Sequence, residues 1–292
     1  MKKGTIVKGV GGVYEIHLAS RETVLAKPRG IFRKEGVTPT VGDHVEVELS
    51  GDPDNPYVIT CILPRRNILI RPPVANVDVL ILTISPIEPQ PDFKILDKLL
   101  ILCEKQNIGP IIWLTKTDLD AEGADRIRSI YGGAGFEVYS SSRDEPIDFD
   151  FFESLFRGHT VGFAGQSGVG KSTLCNILTG FSNMAVGEIS DRLHSGKHTT
   201  RHVELFPVGD GYLVDTPGFS TLALTDLGLD TDDVQYGYPE LKRISGECRF
   251  ADCRHIGEKG CAIDAADMNP DRLLRYREFV TFLIHNKTYS TK

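Results

Sequence analysis

The sequence predicts an α/β domain that lies between a small all-β barrel and a C-terminal, mainly α module carrying cysteines and a histidine. Three observations support this fold class. Short alternating strands fill residues 1–71, nearly continuous Val, Ile and Leu strands begin at Val77, and the apolar alternation fades after Phe219, where a Cys/His cluster follows. We therefore expect domains at residues 1–71, 72–221 and 222–292.

The first domain contains the predicted strands GTIVKGV, VYEIHLA, ETVLAK, HVEVEL and YVITCIL, which are separated by Gly-Gly, Ser-Arg, a Gly-rich loop and Asp-Pro-Asp-Asn-Pro. Five short strands in this space favour an OB-like barrel, although an SH3-like barrel has nearly the same pattern. The barrel either binds RNA or only packs on its neighbour, because composition alone does not make a barrel bind nucleic acid.

The second domain shows strands typical of a parallel sheet covered on both faces. VDVLILTIS and IGPIIWLTKTD are nearly all apolar, and the segment between them has the spacing of an amphipathic helix, with Phe93, Leu96, Leu99, Leu100 and Cys103 on one face. A further helix is predicted from Pro270 to about Asn286, in the third domain.

The segment from Gly165 to Ser172, GQSGVGKS, matches the phosphate-binding pattern G-x-x-x-x-G-K-[ST]. TVGFA leads in as a strand, and KSTLCNILTG leads out as a helix that Gly180 closes. Glycines let the backbone N–H groups surround phosphate oxygens at the positive end of the helix. Lys171 should reach the outer phosphates, and Ser172 should bind Mg²⁺. The residues expected to bind nucleotide here are Gly165, Gln166, Ser167, Gly168, Val169, Gly170, Lys171, Ser172 and Thr173.

Two downstream features predict nucleotide-sensing loops. The strand GYLV ends in Asp215-Thr-Pro-Gly218, which matches the D-x-x-G element in which the Asp holds Mg²⁺ through water and the Gly N–H contacts the γ-phosphate. The polar loop at residues 195–201 offers a threonine that would close over Mg²⁺. Thr199 and Thr200 both fit, and Thr200 is preferred.

The base-reading element is expected at Thr115-Lys116-Thr117-Asp118, at the end of the strand IIWL. The Asp118 carboxylate can accept hydrogen bonds from guanine N1–H and the amino group, whereas adenine N1 is an acceptor that would repel it. Lys116 can lay its methylene stem on the purine. Thr115 stands where the related N-K-x-D element has Asn, so an amide that braces neighbouring loops is missing. The loop behind the base is expected at Ser140, Ser141 and Ser142.

Hydrolysis requires a group that orients the attacking water. Many GTPases place Gln after the D-x-x-G glycine, but here that position is Phe219, which cannot hold a water. His198 is the best local candidate, since a neutral imidazole can accept a proton or a hydrogen bond. The alternative is that His198 is a solvated loop residue. The predicted catalytic residues are Lys171, His198 and Thr200.

The cluster Cys248-x₄-Cys253-x-His255-x₅-Cys261 is a complete tetrahedral Cys₃His set for one structural Zn²⁺. Three cysteines cannot all pair among themselves, and we expect a reducing compartment, so disulfides are disfavoured. The remaining cysteines, Cys61, Cys103 and Cys175, lie in apolar segments and are expected in the core.

Charge is distributed unevenly along the 292 residues, whose net charge is -7. Residues 1–71 hold 11 Lys and Arg against 8 Asp and Glu, residues 72–241 hold 12 against 25, and residues 242–292 hold 10 against 7. Two mildly basic ends therefore flank an acidic middle, which suggests a clamp on structured RNA. The basic residues considered are Lys27, Arg29, Arg33, Lys34, Arg65, Arg66 and Arg71 at the barrel, and Lys242, Arg243, Arg249, Arg254, Lys259, Arg272, Arg275 and Arg277 at the C-terminal end.

The helix carrying Arg272 and Arg275 leaves two interpretations open: they line one RNA-facing surface, or they belong to a solvated face.

The overall composition, 40% hydrophobic and 25% charged, is that of a soluble globular protein. No apolar run approaches the roughly 18 residues needed to cross a bilayer, and the N-terminus lacks a signal-peptide core. We expect a cytoplasmic monomer without a membrane partner.

The predicted motifs occur in the order base-reading loop, serine loop, phosphate loop, switch threonine and D-x-x-G, which is the usual GTPase order cut and rejoined. This circular permutation, with a barrel in front and a Cys/His cluster behind, resembles the bacterial ribosome small-subunit-dependent GTPase A family over essentially the whole chain. The resemblance implies an OB barrel, a circularly permuted P-loop GTPase domain and a zinc domain. It also implicates a histidine in the switch loop, which His198 matches.

The resemblance further implies a role in late maturation of the small ribosomal subunit, with binding of its rRNA and of GTP and GDP. Hydrolysis of GTP to GDP and phosphate is then stimulated by the subunit. The alternative is an RNA-binding scaffold in which nucleotide is an allosteric ligand and hydrolysis is incidental. A P-loop kinase or ATPase is disfavoured by Asp118 and the D-x-x-G element.

Overall fold

The structure is a computed structural model and describes residues 1–53, 56–70, 72–142, 148–175, 203–215, 223–244 and 246–290. Side chains are described throughout these ranges except at residues 149, 215, 264 and 287–290. Backbone contacts divide the chain into two compact units. Unit 1 comprises Met1–Leu80, Asp148–Phe163 and Lys171–Phe219, and unit 2 comprises Ile81–Ile147, Ala164–Gly170 and Ser220–Lys292.

Within the described ranges the strands are β1 (Lys2–Val10), β2 (Val13–Leu18), β3 (Thr23–Pro28), β4 (His44–Leu49), β5 (Tyr57–Ile62), β6 (Ile68–Ile70), β7 (Pro73–Ala75), β8 (Val79–Ile84), β9 (Gly109–Leu114), β10 (Glu137–Ser140), β11 (Thr160–Gly165), β12 (Glu204–Val208) and β13 (Gly211–Asp215). The helices are α1 (Gly30–Lys34), α2 (Phe93–Gln106), α3 (Ala121–Ala134), α4 (Phe149–Phe156) and α5 (Pro270–Ser290). Residues 171–175 are also helical, and short 3₁₀ helices occur at Thr117–Leu119, Val234–Gly237, Pro239–Ile244 and Ile263–Ala266.

Unit 1 begins with a closed five-stranded barrel. Its strands follow the order β1-β2-β3-β5-β4, and β4 pairs back with β1. The β3–β5 pair is parallel, while the other pairs are antiparallel. Alternate residues of these strands point inward to a core that includes the fully buried Ile6, Ile16, Val45, Val47 and Ile59. The predicted OB-like barrel is confirmed.

The barrel continues into a second group of strands within unit 1. β1 meets β12 where Lys8 lies opposite Glu204, and the Lys8 ammonium is 3.1 Å from the Glu204 carboxylate. β12 pairs with β13 in an antiparallel hairpin, and β13 pairs in parallel with β11. β13 ends at Asp215, so this group of strands leads directly toward the predicted D-x-x-G element.

Unit 2 contains the strands of the α/β region that follow the order β10-β9-β8, with β8 contributing its residues from Ile81 onward. β9 and β10 are parallel, with Leu114 opposite Ser140. Because the carboxyl ends of parallel strands meet at one edge, the segments that follow β9 and β10 lie side by side. The predicted alternation of buried strands with amphipathic helices is confirmed, and α3 and α4 are additional helices that were not individually predicted.

Helix α2 has sequence signals at both ends. The Asp92 carboxylate accepts hydrogen bonds from the backbone N–H groups of Lys94 and Ile95 at 2.9 and 3.0 Å, and thereby caps the N-terminus. Asn107, which adopts a left-handed conformation with φ 54°, ends the helix. The helix buries the apolar face that its spacing predicts, including Leu96, Leu99, Leu100 and Cys103.

Helix α5 docks within unit 2 through a buried ionic network, which corrects the prediction for Arg272 and Arg275. Arg272 is 0% exposed; its guanidinium donates to Asp97 of α2 at 2.9 Å and to Glu240 at 2.7 and 3.1 Å. Arg275 donates to the same Asp97 carboxylate at 2.6 Å. Both interpretations, an RNA-facing surface and a solvated face, are wrong because the two arginines are buried. The helical spacing showed that they share a face, but it could not show that this face is buried.

Two tyrosines complete the network around Asp97. The hydroxyls of Tyr131 and Tyr238 donate to its carboxylate at 2.8 and 3.1 Å. Burial, and then the Asp97 charge, raises the pKa of Tyr131 and of Tyr238, so both remain protonated donors. The Arg272 guanidinium also lies 4.7 Å from the Tyr238 ring centre. Every charge in the network therefore has a partner.

The helix predicted from Pro270 is present and extends to Ser290. The predicted helix end at Gly180 lies outside the described residues. Among the helices that the structure describes, none is both long enough and apolar enough to cross a membrane.

Candidate nucleotide site and metal centre

The entry to the phosphate loop requires glycine. Gly165, the last residue of β11, has φ 138°, and a Cβ there would lie 2.2 Å from the carbonyl oxygen of Thr83. The Thr83 hydroxyl donates to the carbonyl of the preceding Ala164 at 3.0 Å. The loop therefore leaves the sheet in close contact with the end of β8.

The phosphate loop itself has the conformation that its glycines predict. Gly168 and Gly170 have φ of 81° and 99°, values that favour glycine, and Val169 between them is fully buried. The helical residues 171–175 follow directly. The predicted strand, glycine loop and helix are thus present in that order.

Thr115 stands where the related N-K-x-D element has an amide, and its shorter side chain makes a link of its own to the phosphate loop. Its hydroxyl donates to the carbonyl of Val169 at 2.5 Å, and its backbone N–H donates to Ile84 at 3.0 Å. The side chain is only 7% exposed. A threonine hydroxyl therefore joins the base-reading turn to the phosphate loop without the longer amide.

Lys116 makes a second link between the same loops. It has a left-handed backbone with φ 56°, and its ammonium donates to the carbonyls of Gly168 at 3.0 Å and Glu88 at 2.7 Å. Asp118 follows in the short 3₁₀ helix and is exposed. The Lys116 hydrogen bonds hold the base-reading turn against the phosphate loop, and the Asp118 carboxylate remains accessible to a ligand.

The serine loop is held by donors from the surrounding scaffold. Trp113 Nε1–H donates to the Ser141 hydroxyl oxygen at 2.9 Å, and Arg128 donates to the Ser140 hydroxyl oxygen at 3.1 Å. The backbone N–H of Ser141 donates to Leu114 at 2.9 Å, which sets the loop beside the base-reading turn. Ser140, Ser141 and Ser142 are all half-buried.

The remaining predicted site residues divide into described and undescribed groups. Lys171 and Ser172 are half-buried and Thr173 is exposed, and burial lowers the pKa of Lys171. The backbone of Asp215 ends β13, but its side chain is outside the description. The predictions for His198, Thr199, Thr200, Gly218 and Phe219 also lie outside the described residues.

The four predicted metal ligands lie together in unit 2. The ligand atoms of Cys248, Cys253, His255 and Cys261 all lie within 4.8 Å of one another. His255 Nδ1 is 3.5, 3.7 and 3.3 Å from the sulfurs of Cys248, Cys253 and Cys261. Tetrahedral zinc with its usual bond lengths places such N and S atoms about 3.6 Å apart, so the cluster fits the ion.

The ligand loop is fixed by neighbouring groups. The N–H of Ala262 donates to the Cys248 sulfur at 3.3 Å, and Arg277 of α5 donates to the carbonyl of His255 at 3.1 Å. The Tyr276 hydroxyl donates to the carbonyl of Arg254 at 3.1 Å. Burial lowers the pKa of His255, which favours the neutral imidazole that a metal requires.

Comparison with known proteins assigns the family. The model of the RsgA GTPase family matches residues 62–225, and that of the RsgA N-terminal domain matches residues 3–55. The chain belongs to the RsgA GTPase family. This membership confirms the family resemblance that the sequence motifs indicated. It also confirms the prediction that the chain is a GTP hydrolase.

Members of the RsgA family match this chain over nearly its whole length. The small ribosomal subunit biogenesis GTPase RsgA 1 of Listeria monocytogenes is 38% identical over 288 residues, which cover 97% of each chain. The small ribosomal subunit biogenesis GTPase RsgA of Ruminiclostridium cellulolyticum is 39% identical over 282 residues, or 94% of this chain and 92% of that protein.

Two solved structures share the RsgA family fold of this chain. YloQ, described as a circularly permuted GTPase, superposes with a TM-score of 0.79 at 34% identity and covers 97% of this chain and 95% of its own. YjeQ from Thermotoga maritima gives a TM-score of 0.78 at 27% identity, with coverage of 97% and 98%. The predicted circular permutation, with its barrel and its C-terminal Cys/His region, is confirmed.

Sequence reasoning missed one set of contacts in this RsgA family site. The Gln166 side chain turns toward the start of α2, where its oxygen accepts from the N–H of Asp92 at 2.9 Å and its nitrogen donates to the carbonyl of Gln90 at 3.0 Å. The motif pattern treats this position as variable and so gave no signal. The prolines at positions 86, 89 and 91 were the available hint of a rigid neighbouring segment.

Proposed function

We propose that this chain hydrolyses GTP in the biogenesis of the small ribosomal subunit and that the subunit stimulates hydrolysis. The main support is the convergence of the phosphate loop, the base-reading turn and the serine loop within unit 2, in a permuted order that family membership explains. The names of the two RsgA relatives support the role with the small subunit. The alternative, a nucleotide-gated RNA scaffold, makes a different prediction in the test below.

In this proposal the nucleotide lies along the edge formed by the ends of β9, β10 and β11. Asp118 accepts hydrogen bonds from the guanine N1–H and amino group, and the serine loop, Ser140–Ser141, backs the base. Lys171 neutralises the outer phosphates, which the backbone N–H groups of the glycine loop surround. The residues proposed to contact nucleotide are Thr115, Lys116, Thr117, Asp118, Ser140, Ser141, Gly165, Gln166, Ser167, Gly168, Val169, Gly170, Lys171, Ser172, Thr173, Asp215 and Gly218.

For hydrolysis, Mg²⁺ would neutralise charge that develops on the phosphates. Ser172, the residue after the phosphate-loop lysine, and Thr200 would hold the ion, with Asp215 acting through water. His198 would orient the attacking water, because Phe219 has no hydrogen-bonding group. These assignments extend the sequence motifs and family resemblance.

The Cys₃His cluster is proposed to bind one structural Zn²⁺. Four protein ligands leave no open position for a substrate, so the ion would fold the loop rather than catalyse. The hydrogen bonds from α5 to this loop support the same role, since the helix would position the loop once the metal is bound.

Three domains, at residues 1–71, 72–221 and 222–292, are proposed as units of function, with RNA contacts at the barrel and the C-terminal domain. The burial of Arg272 and Arg275 removes both from the proposed RNA surface. The protein is proposed to act in the cytoplasm as a monomer.

The test is single-turnover GTP hydrolysis, titrated separately with small subunits, large subunits and bare rRNA. We expect acceleration by small subunits alone. Equal rates with and without small subunits, together with nucleotide-dependent RNA binding, would instead support the scaffold.

A further inference from the structure

Residues 85–92, Ser-Pro-Ile-Glu-Pro-Gln-Pro-Asp, connect β8 with α2 and form what we call the proline segment. Its three prolines restrict the backbone. Ser85 begins the segment, is fully buried, and accepts hydrogen bonds through its hydroxyl oxygen from the N–H groups of Ile87 and Glu88 at 3.3 and 3.1 Å. The segment is therefore stiff before any ligand binds.

The proline segment is joined to the phosphate loop at two places within unit 2, directly at Gln166 and through Lys116 at Gly168. The Gln166 amide bonds through its oxygen to Asp92 and through its nitrogen to Gln90, at 2.9 and 3.0 Å. The Lys116 ammonium bridges the carbonyls of Glu88 and Gly168. The stiff segment thus follows the loop from Gln166 to Gly168.

A phosphate site built from backbone N–H groups binds well only if the backbone already has the binding shape, because ordering it during binding costs free energy. Gln166 is suited to preserve that shape. Its amide uses one acceptor and one donor on fixed backbone groups of the segment. The side chain is directed at the segment, while its backbone belongs to the loop.

We propose that Gln166 is a positioning residue that holds the phosphate loop in its binding shape by fixing it to the proline segment. The loop that it holds binds the diphosphate portion that GDP and GTP share. Gln166 itself takes no part in the chemical step. The inference rests on the GTP binding of the family and is independent of stimulation by the small subunit, so the two experiments fail separately.

The test compares Gln166→Leu with wild type. Leucine keeps similar bulk and removes both hydrogen bonds. We expect the Kd values for GDP and GTP to rise by the same factor, about tenfold, with faster release of both nucleotides. The KM for GTP should rise correspondingly, whereas kcat at saturating GTP should stay within about twofold. Gln90→Ala is the matched control, because it removes an exposed side chain but leaves the carbonyl that Gln166 contacts.

A second variant loosens the segment from its other side. Ser85→Ala removes the acceptor for two N–H groups without touching the phosphate loop, and it should give the same equal loss for GDP and GTP. Because both changes act through one segment, the double variant should lose less than the product of the single losses. The proposal is overturned by a loss confined to GTP, by a fall in kcat at unchanged KM, by unchanged affinity in Gln166→Leu, or by independent effects of the two changes.

Discussion

Among single residues, Thr115 replaces the Asn of the N-K-x-D element and still joins the base-reading turn to the phosphate loop. Its hydroxyl donates to the carbonyl of Val169 at 2.5 Å in a buried setting. We expect Thr115→Val, which keeps the shape but leaves that carbonyl without this donor, to cost about 1 to 3 kcal/mol of nucleotide binding. Equilibrium titration should therefore show roughly 5-fold to 150-fold weaker binding of both GDP and GTP.

Thr115→Ser is the matched control, since serine retains the hydroxyl and loses only a methyl group. Its affinity should stay within a few-fold of wild type. Equal losses in Thr115→Val and Thr115→Ser would show that packing, rather than the hydrogen bond, accounts for the effect.

Among the secondary-structure elements, the attachment of α5 to α2 depends on charges that are removed from water. Asp97 and Arg272 are each 0% exposed and lie 2.9 Å apart. Replacing Arg272 with Met leaves Glu240 and part of Asp97 without a buried partner, so we expect the free energy of unfolding to fall by about 3 to 5 kcal/mol. Chemical denaturation, followed by circular dichroism, measures this difference.

An exposed pair between the same two helices provides the control. Lys94 of α2 and Glu278 of α5 lie 2.8 Å apart, with side chains 56% and 44% exposed. Because water and salt screen this pair, Glu278→Gln should change the stability by no more than about 1 kcal/mol. Similar losses in the two variants would argue against a special contribution from the buried network.

The ligand loop, which carries the Cys₃His cluster, gives a second prediction at the scale of elements. Cys261→Ser should lower the zinc content from one ion per chain to well below one, as measured by mass spectrometry of the purified protein. Hydrogen exchange should increase in residues 246–277, because the loop and its contacts with α5 lose the ion that orders them. Cys61→Ser, outside the cluster, should retain both the zinc and the protection. Full zinc content in Cys261→Ser would remove this residue from the ligand set.

The sequence predicts elements well where a local signal exists. Periodicity identified the barrel strands and α2, and residue chemistry identified the Cys₃His cluster that the structure brings together. It could not show which face of α5 is buried, because Arg272 has the sequence character of a surface residue and its partner Asp97 is far away in the chain. It likewise missed the contact between Gln166 and Asp92, since that pair exists only once β8, α2 and the phosphate loop are assembled.

Across the whole molecule, the count of basic residues overstates the charge available to the proposed RNA contacts. Besides the buried arginines of α5, several barrel cations already face carboxylates in unit 1. Arg65 contacts Asp43 at 2.7 Å, Arg29 contacts Glu48 at 2.9 Å, and Arg66 contacts Asp78. The modest excess of +3 at each end therefore translates into smaller patches of accessible charge. RNA recognition should accordingly depend on a few particular cations rather than on bulk charge.

Arg33 and Lys34 are the best test of this conclusion, because both are exposed on α1 of the barrel. If they contact phosphates, Arg33→Glu combined with Lys34→Glu should weaken binding to small subunits about tenfold and reduce the slope of log K against log salt by about 2. Intrinsic hydrolysis should be unchanged, since neither residue belongs to the nucleotide site. Arg126→Glu, an exposed change on α3 in the acidic middle of the chain, should leave subunit binding intact. The α1 variant changes the net charge by −4 and the α3 variant by −2, so a weakening by Arg126→Glu of about half the α1 effect in free energy would mean that total charge, rather than the barrel surface, governs association.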